Sequence, residues 1–325
     1  MKTRRSHESA LPDELSRLPD KRELYATDTY FLESWEDLGT VAGEQPLPAP
    51  SRFAALTLKP DAVVGRTLKP TLDWLGEHGF SVVAAELVGF ERHIIRSIWL
   101  YSWNVASRDR KDLVDILLTA TPSLFLALRG PEDASLWLSQ NKGPANPEHR
   151  QPGQLRHRLG YFSTLLNFVH TSDEPADFVR ELAVYFPAAT RKRIYRAMSS
   201  PGNALRRAED LASELEDRFP AHDLKLDASI DRVRALVDRG QGDDHERARL
   251  RRLLSEVASR NTRDWRTLFR LAEAIGISCQ TWDLIVIATN LVQMDSPDID
   301  PVLPGISSMN LPAVLTPEKS SPLAR

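Results

Sequence analysis

Between residues 53 and 187, short apolar runs alternate with stretches of helical spacing, and this alternation limits the fold more than any other feature of the chain. Phe53-Ala54-Ala55-Leu56-Thr57-Leu58 ends at Lys59-Pro60-Asp61, as a buried strand entering a turn does. A helix is predicted over about 68–78 with Gly79 as its stop, followed by a second strand over 81–90 and two helical stretches within about 92–120. Pro122 opens a third strand, 124–128. Residues 131–141 read as a short helix, and 143–165 as a loop rich in Pro, Gly and basic residues. Leu166-Asn167-Phe168-Val169 reads as a fourth strand, followed by His170 and a helix over 174–186. This order, with strands able to pair antiparallel, predicts an α+β sandwich with helices on one face of the sheet.

The flanks differ from this core. Residues 1–42 mix charge with aromatics (Tyr25, Tyr30, Phe31, Trp35) and predict one or two short helices that pack against something. Alternating prolines at 46, 48 and 50 then make an extended linker, because each fixes φ and removes an amide donor. Beyond Pro187, Ala208, Leu211 and Leu215, then Ile230, Val233 and Val237, then Leu250, Leu253, Leu254 and Val257 recur at helical spacing. The expected units are an arm and linker (1–51), the α+β domain (52–187), an all-α domain (188–295) and a loosely packed tail (296–325).

Composition removes several classes of function. A net charge of −3 gives no global field to recruit nucleic acid or an anionic membrane. The single cysteine, Cys279, excludes an intramolecular disulfide and a cysteine-based zinc site, which fits a reducing cytoplasm. The N-terminal residues carry no apolar run of the secretory kind, and the longest apolar stretch, 284–288, is far short of the roughly 20 residues that span a bilayer. A cytoplasmic protein with no membrane contact is expected.

Four motifs carry the chemistry: Leu58-Lys59-Pro60-Asp61-Ala62-Val63, Pro152-Gly153-Gln154-Leu155-Arg156, Asn167-Phe168-Val169-His170, and Thr171-Ser172-Asp173. Together, in this order, they resemble the nucleoside diphosphate kinase family, and the resemblance covers residues 53–187. It implies a ferredoxin-like antiparallel sheet with helices, and phosphoryl transfer through a phosphohistidine. ATP or another nucleoside triphosphate would phosphorylate His170, and a nucleoside diphosphate or related small phosphorylated acceptor would then take the phosphate. A neutral imidazole suits such a nucleophile near neutral pH, and preorganised cations suit the moving charge.

By the same resemblance, Lys59 and Arg156 match phosphate-binding residues, and Asn167 matches the asparagine that contacts the sugar and phosphates. Tyr101 falls at an active-site tyrosine, Glu181 at the carboxylate that orients the imidazole, and Ser172 at its supporting serine. Leu113 matches an apolar position beside the nucleobase. Magnesium (Mg2+) would arrive on the nucleotide phosphates, so no protein metal site is expected. The family assembles as hexamers or tetramers through surfaces that the arm and appendage could cover, so a homo-oligomer stays open for this chain.

The departures matter equally. Ser139 stands where the family has a second phosphate-binding arginine, with Lys142 as a partial substitute. Ala145 replaces a phosphate-contacting threonine, and Asp109 replaces the phenylalanine that stacks on the base. The machinery that forms phosphohistidine is kept and the nucleotide clamp is thinned. An alternative reading is therefore a nucleotide-binding module, weakly catalytic or non-catalytic, that acts through its helical C-terminal domain.

Two other features have plainer readings. Residues 265–282 have the rhythm of a helix-turn-helix, yet no Lys or Arg occurs between Arg270 and Lys319, which argues against DNA reading through it. Residues 188–270 carry 19 basic against 14 acidic residues, a pattern of solvated helix faces that could also guide an anionic acceptor.

Overall fold

A computed structural model describes residues 11–303 and 305, except 201, 240–242 and 260. The arm forms α1 (Pro19–Tyr25) and α2 (Thr29–Glu44). The N-cap of α2 is Asp28, whose carboxylate accepts from the Phe31 amide at 2.8 Å. The central part runs β1 (Phe53–Leu58), α3 (Pro60–Val64), α4 (Leu68–Glu77), β2 (Ser81–Val88), α5 (Arg92–Ile98), α6 (Arg108–Leu118), β3 (Ser123–Arg129), α7 (Ala134–Asn141), α8 (Leu155–Leu159), β4 (Val169–Thr171) and α9 (Pro175–Tyr185). Gly79 ends the α4 turn at φ +78°, where a side chain would be strained. The four strands form one antiparallel sheet in the order β2-β3-β1-β4, so the predicted α+β, ferredoxin-like arrangement is present.

Two expectations need correction. Every residue of β1 is buried, although alternate residues point to opposite faces, so both faces of the sheet are covered and not one. On the Phe53 side, Phe178 of α9 packs against Phe53 with ring centroids 5.4 Å apart. The fourth strand is Val169–Thr171, not 166–169. Phe168 sits at φ +66°, which breaks extension, and Leu166 and Phe168 are buried as loop core. The Phe168 amide donates to Asp61 at 2.7 Å, and its carbonyl accepts from the Lys59 amide at 2.8 Å. His170 therefore lies within the strand, paired with Thr57 of β1, and its side chain shares the sheet face that α9 covers.

Past Pro187 the chain is helical: α10 (Ala188–Ser199), α11 (Leu205–Arg218), α12 (Leu226–Arg239), α13 (Asp244–Ala258), α14 (Trp265–Ala274) and α15 (Trp282–Thr289). These helices share one apolar core with the sheet domain. On α10, Tyr195 is fully buried and bonds Ser34 of α2 at 2.7 Å, while Arg191 pairs with Asp37. The chain entering α11 meets the β2 edge, where the Ala204 amide donates to the Val82 carbonyl at 2.7 Å. α15 packs on α6. Of the expected tail, residues 296–303 and 305 are described and return to the 101–107 loop; the rest lies outside the described residues. Among the described residues, no helix is long and apolar enough to cross a membrane.

Candidate active site

His170 is seated by the register of β4 and by one residue of α9. Its Nε2 is 2.8 Å from Oε1 of Glu181, and the other oxygen of Glu181 accepts from Ser172 Oγ at 3.0 Å. A carboxylate can only accept, so Nε2 carries the ring proton and Nδ1 keeps its lone pair. Ser172 holds the carboxylate in place, which fixes the tautomer.

The imidazole lines a cavity of about 290 Å³. One wall is cationic. Lys59, at the N-cap of α3, donates to the Leu165 carbonyl at 3.1 Å and lies 3.6 Å from Asp61. Burial brings its ammonium down to about 8, with Arg156 and Arg150 adding to the fall and Asp61 opposing it. Arg156 forks onto the carbonyls of Gly143, Asn167 and Val169 and the side chain of Asn167. Burial, then Arg150, brings it down to about 9. Lys142 donates to Thr171 Oγ1 at 2.5 Å and lies 3.3 Å from Asp173, and burial lowers it as well. These three cations are buried with too little negative charge beside them, which is the state a polyanion would relieve.

Asp173 is held well below the usual carboxylate range: burial pushes it up, but Lys142, Lys21 and the Ser139 hydroxyl outweigh that. Ser139 bonds it at 2.5 Å. In place of an arginine at 139, the carboxylate is met by Lys142 from the next turn and neighboured by Lys21 of the arm. Lys21 itself is buried between Glu174 at 2.8 Å and Asp177 at 2.7 Å.

The structure brings His170, Glu181, Ser172, Lys59, Arg156 and Asn167 into one neighbourhood, with Asn167 anchored to the Thr164 carbonyl at 2.7 Å. Two expected residues sit differently. Tyr101 lines the cavity, but its hydroxyl is committed to Asp28 at 2.8 Å, and burial with that carboxylate pushes it up to about 12. The aromatic against the imidazole is Trp99, edge-on at 5.4 Å between centroids and stacked on Trp103 at 4.4 Å. Leu113 is fully enclosed in the core and does not line the cavity; its helix presents Val114, Leu117 and Leu118 instead. Asp109 is paired with Arg266 of α14 at 2.7 Å, and Ala145 lies on the cavity wall.

Sequence reasoning missed Trp99, Lys21, Tyr25, Met294 and Leu303, all of which line the cavity. Trp99 has a signal, since it lies two residues from Tyr101. The others come from flanking segments with no local signature of a site. Among the described residues, no group of three or more His, Cys, Asp or Glu could hold a metal ion.

Fold and cavity together define an α+β protein with an oriented histidine beside a cationic wall. The family model for nucleoside diphosphate kinase matches residues 54–190. A nucleoside diphosphate kinase of Thiobacillus denitrificans is 30% identical over 135 residues, covering 41% of this chain and 89% of that protein. One of Mycobacterium leprae is also 30% identical over 135 residues, covering 40% and 93%. A solved nucleoside diphosphate kinase of Pyrobaculum aerophilum aligns at 21% identity and TM-score 0.38, over 42% of this chain and 96% of that one. The chain belongs to the nucleoside diphosphate kinase family, and its arm and helical C-terminal part lie outside the matched region.

Proposed function

We propose that the protein is a phosphotransferase that works through phospho-His170. The Nδ1 lone pair attacks the γ-phosphorus of a magnesium-bound nucleoside triphosphate; the bond to the bridging oxygen breaks, and the nucleoside diphosphate leaves. The proton on Nε2 stays on the ring, stabilised by Glu181. A phosphate oxygen of the acceptor, a nucleoside diphosphate or related small phosphorylated molecule, then attacks the phosphohistidine, and the N–P bond breaks to restore the imidazole. Lys59, Lys142 and Arg156 balance the transferring charge, each charge-assisted contact being worth roughly 1.5–3 kcal/mol. Magnesium comes with its nucleotide as part of the substrate.

The observation that carries this reading is the pairing of His170 Nε2 with Glu181 at 2.8 Å, which leaves Nδ1 as the nucleophile beside underneutralised cations. Incubation with γ-labelled ATP and magnesium tests it. Acid-labile, alkali-stable label that disappears in His170→Ala is expected, and no label at millimolar nucleotide would sink the proposal. A panel of acceptors added to labelled protein then identifies the one that drains the phosphate.

A second reading, a nucleotide-responsive module with weak or no catalysis, is favoured by the contact of Asp109 with Arg266. It ties α6, which lines the cavity, to the helical C-terminal part. Under that reading nucleotide binds and no label is retained.

A further inference from the structure

The segment 293–303 lies along the 101–107 loop and the start of α6, and its Met294 and Leu303 line the cavity. The Ser107 amide donates to the Met294 carbonyl, the Ser296 amide to the Val105 carbonyl, and the Leu303 amide to the Tyr101 carbonyl at 2.8 Å. Asn104 holds the segment twice, donating to the Asp300 carbonyl at 2.7 Å and accepting from the Val302 amide at 3.1 Å. Arg110 reaches Asp295 at 2.5 Å and lays its guanidinium over Trp103.

Met294 and Leu303 thereby become cavity wall, and with Ile98, Trp103, Val114 and Leu117 they give apolar lining to a cavity that Lys59, Lys142 and Arg156 also line. With the segment seated, the cavity is about 290 Å³, at the bottom of the roughly 300–1,000 Å³ usual for small-molecule pockets. That space suits a chain of phosphates better than a whole nucleotide.

The means of attachment point to a cover that opens. The side-chain contacts along the segment are at exposed positions, and Ile299 and Val302 are exposed. Leu303, 5% exposed, is the buried apolar anchor among its described residues. A segment with one buried anchor and solvent-exposed polar bonds belongs to the low-stability end of a fold. Residues 101–110 and 293–303 are separated by nearly 200 residues, so this contact forms only in the assembled fold.

We propose that residues 293–303 act as a strap that sets what the site accepts: seated, it admits compact polyphosphates and excludes the nucleoside part of a nucleotide, and release through Leu303 admits the nucleotide. This rests on the reading of the cavity as a phosphate site. A ligand that binds only the strap-open state loses affinity in proportion to the closed fraction.

The test is calorimetric titration of the full-length protein with magnesium ATP and, separately, with inorganic tripolyphosphate. Leu303→Ser and Asn104→Ala both loosen the strap without changing charge. Expected in both is ATP binding tighter by roughly tenfold, the scale of one buried leucine, with tripolyphosphate binding within about twofold of the parent protein in Asn104→Ala, which leaves the cavity lining intact. ATP affinity unchanged or weaker in both variants, with tripolyphosphate still bound, overturns the strap alone. Failure of the parent protein to bind tripolyphosphate overturns the phosphate site, and the strap with it.

Discussion

Glu181, in the second turn of α9, accepts from the Nε2–H of His170 at an N···O distance of 2.8 Å, and Ser172, on the chain between them, holds Glu181 at 3.0 Å. The tautomer of the nucleophile is thus set by a strand, a helix and one hydroxyl. Glu181→Gln keeps the shape and removes the negative charge, so it no longer favours the Nε2-protonated ring or the positive charge that develops during transfer. Phosphorylation of His170 is expected to slow on the order of 10–100-fold, the usual scale for an orienting partner, with ATP affinity little changed. Single-turnover labelling measures the first and calorimetry the second. A labelling rate equal to that of the parent protein would remove Glu181 from the mechanism.

The depressed cations predict a pH dependence with a definite sign. Lys59, at about 8, is charged below that value and loses charge as pH rises through it, whereas the Arg156 guanidinium, donating to three carbonyls and the Asn167 side chain, stays charged throughout. A bound triphosphate favours the charged form of Lys59, so binding takes up a proton from about pH 8 upward and weakens as pH increases. Titration in buffers of different ionisation heat reads that uptake directly, and Lys59→Met is expected to remove it. For stability the sign is opposite. Lys59 binds its proton more tightly in the unfolded chain, near ~10.4, so its burial costs stability below pH 8 and the cost fades as pH rises from 8 toward that value.

Lys142 enters the site one turn after Ser139, and the two meet at Asp173. If a cation is needed there, its position along the helix is secondary. Lys142→Met is expected to weaken ATP binding by roughly 10–100-fold, the loss of one charge-assisted phosphate contact. Adding Ser139→Arg to that variant is expected to restore most of the loss. A purely structural lysine would give no such rescue, so a double variant as weak as Lys142→Met refutes the assignment.

How far the sequence could be read follows from where each signal lies. Lys59-Pro60, Arg156 and Asn167 through Asp173 sit in local motifs around short apolar runs, and local patterns survive folding. The slip at β4 arose because Leu166 and Phe168 are apolar like strand residues, while φ at Phe168 depends on Asp61, more than 100 residues away. Leu113 has helical spacing with Leu117, but which of them faces a cavity depends on packing, not on period. The helices of the arm were legible, but where the arm docks and the seating of the strap were not: Lys21 meets Glu174 and Asp177, and Leu303 meets Tyr101, through pairings that no periodicity encodes.

The strongest stability prediction concerns Asp28, which joins the arm to the site. One of its oxygens caps α2 through the Phe31 amide, and the other accepts from Arg180 Nε at 2.9 Å and Tyr101 Oη at 2.8 Å. Arg180 is 1% exposed and lies over the rings of Tyr25, Tyr30 and Tyr101, which attract a cation but do not neutralise it. Asp28→Ala leaves that guanidinium buried without its carboxylate and uncaps α2, so a loss of roughly 3–5 kcal/mol is expected. Arg180→Met with Asp28→Ala removes the stranded charge, and the double variant is expected to recover part of the loss. Urea denaturation of the parent protein, both single variants and the double variant completes the cycle. Additive losses would show that the pair is not coupled and that the arm is held by its apolar contacts alone.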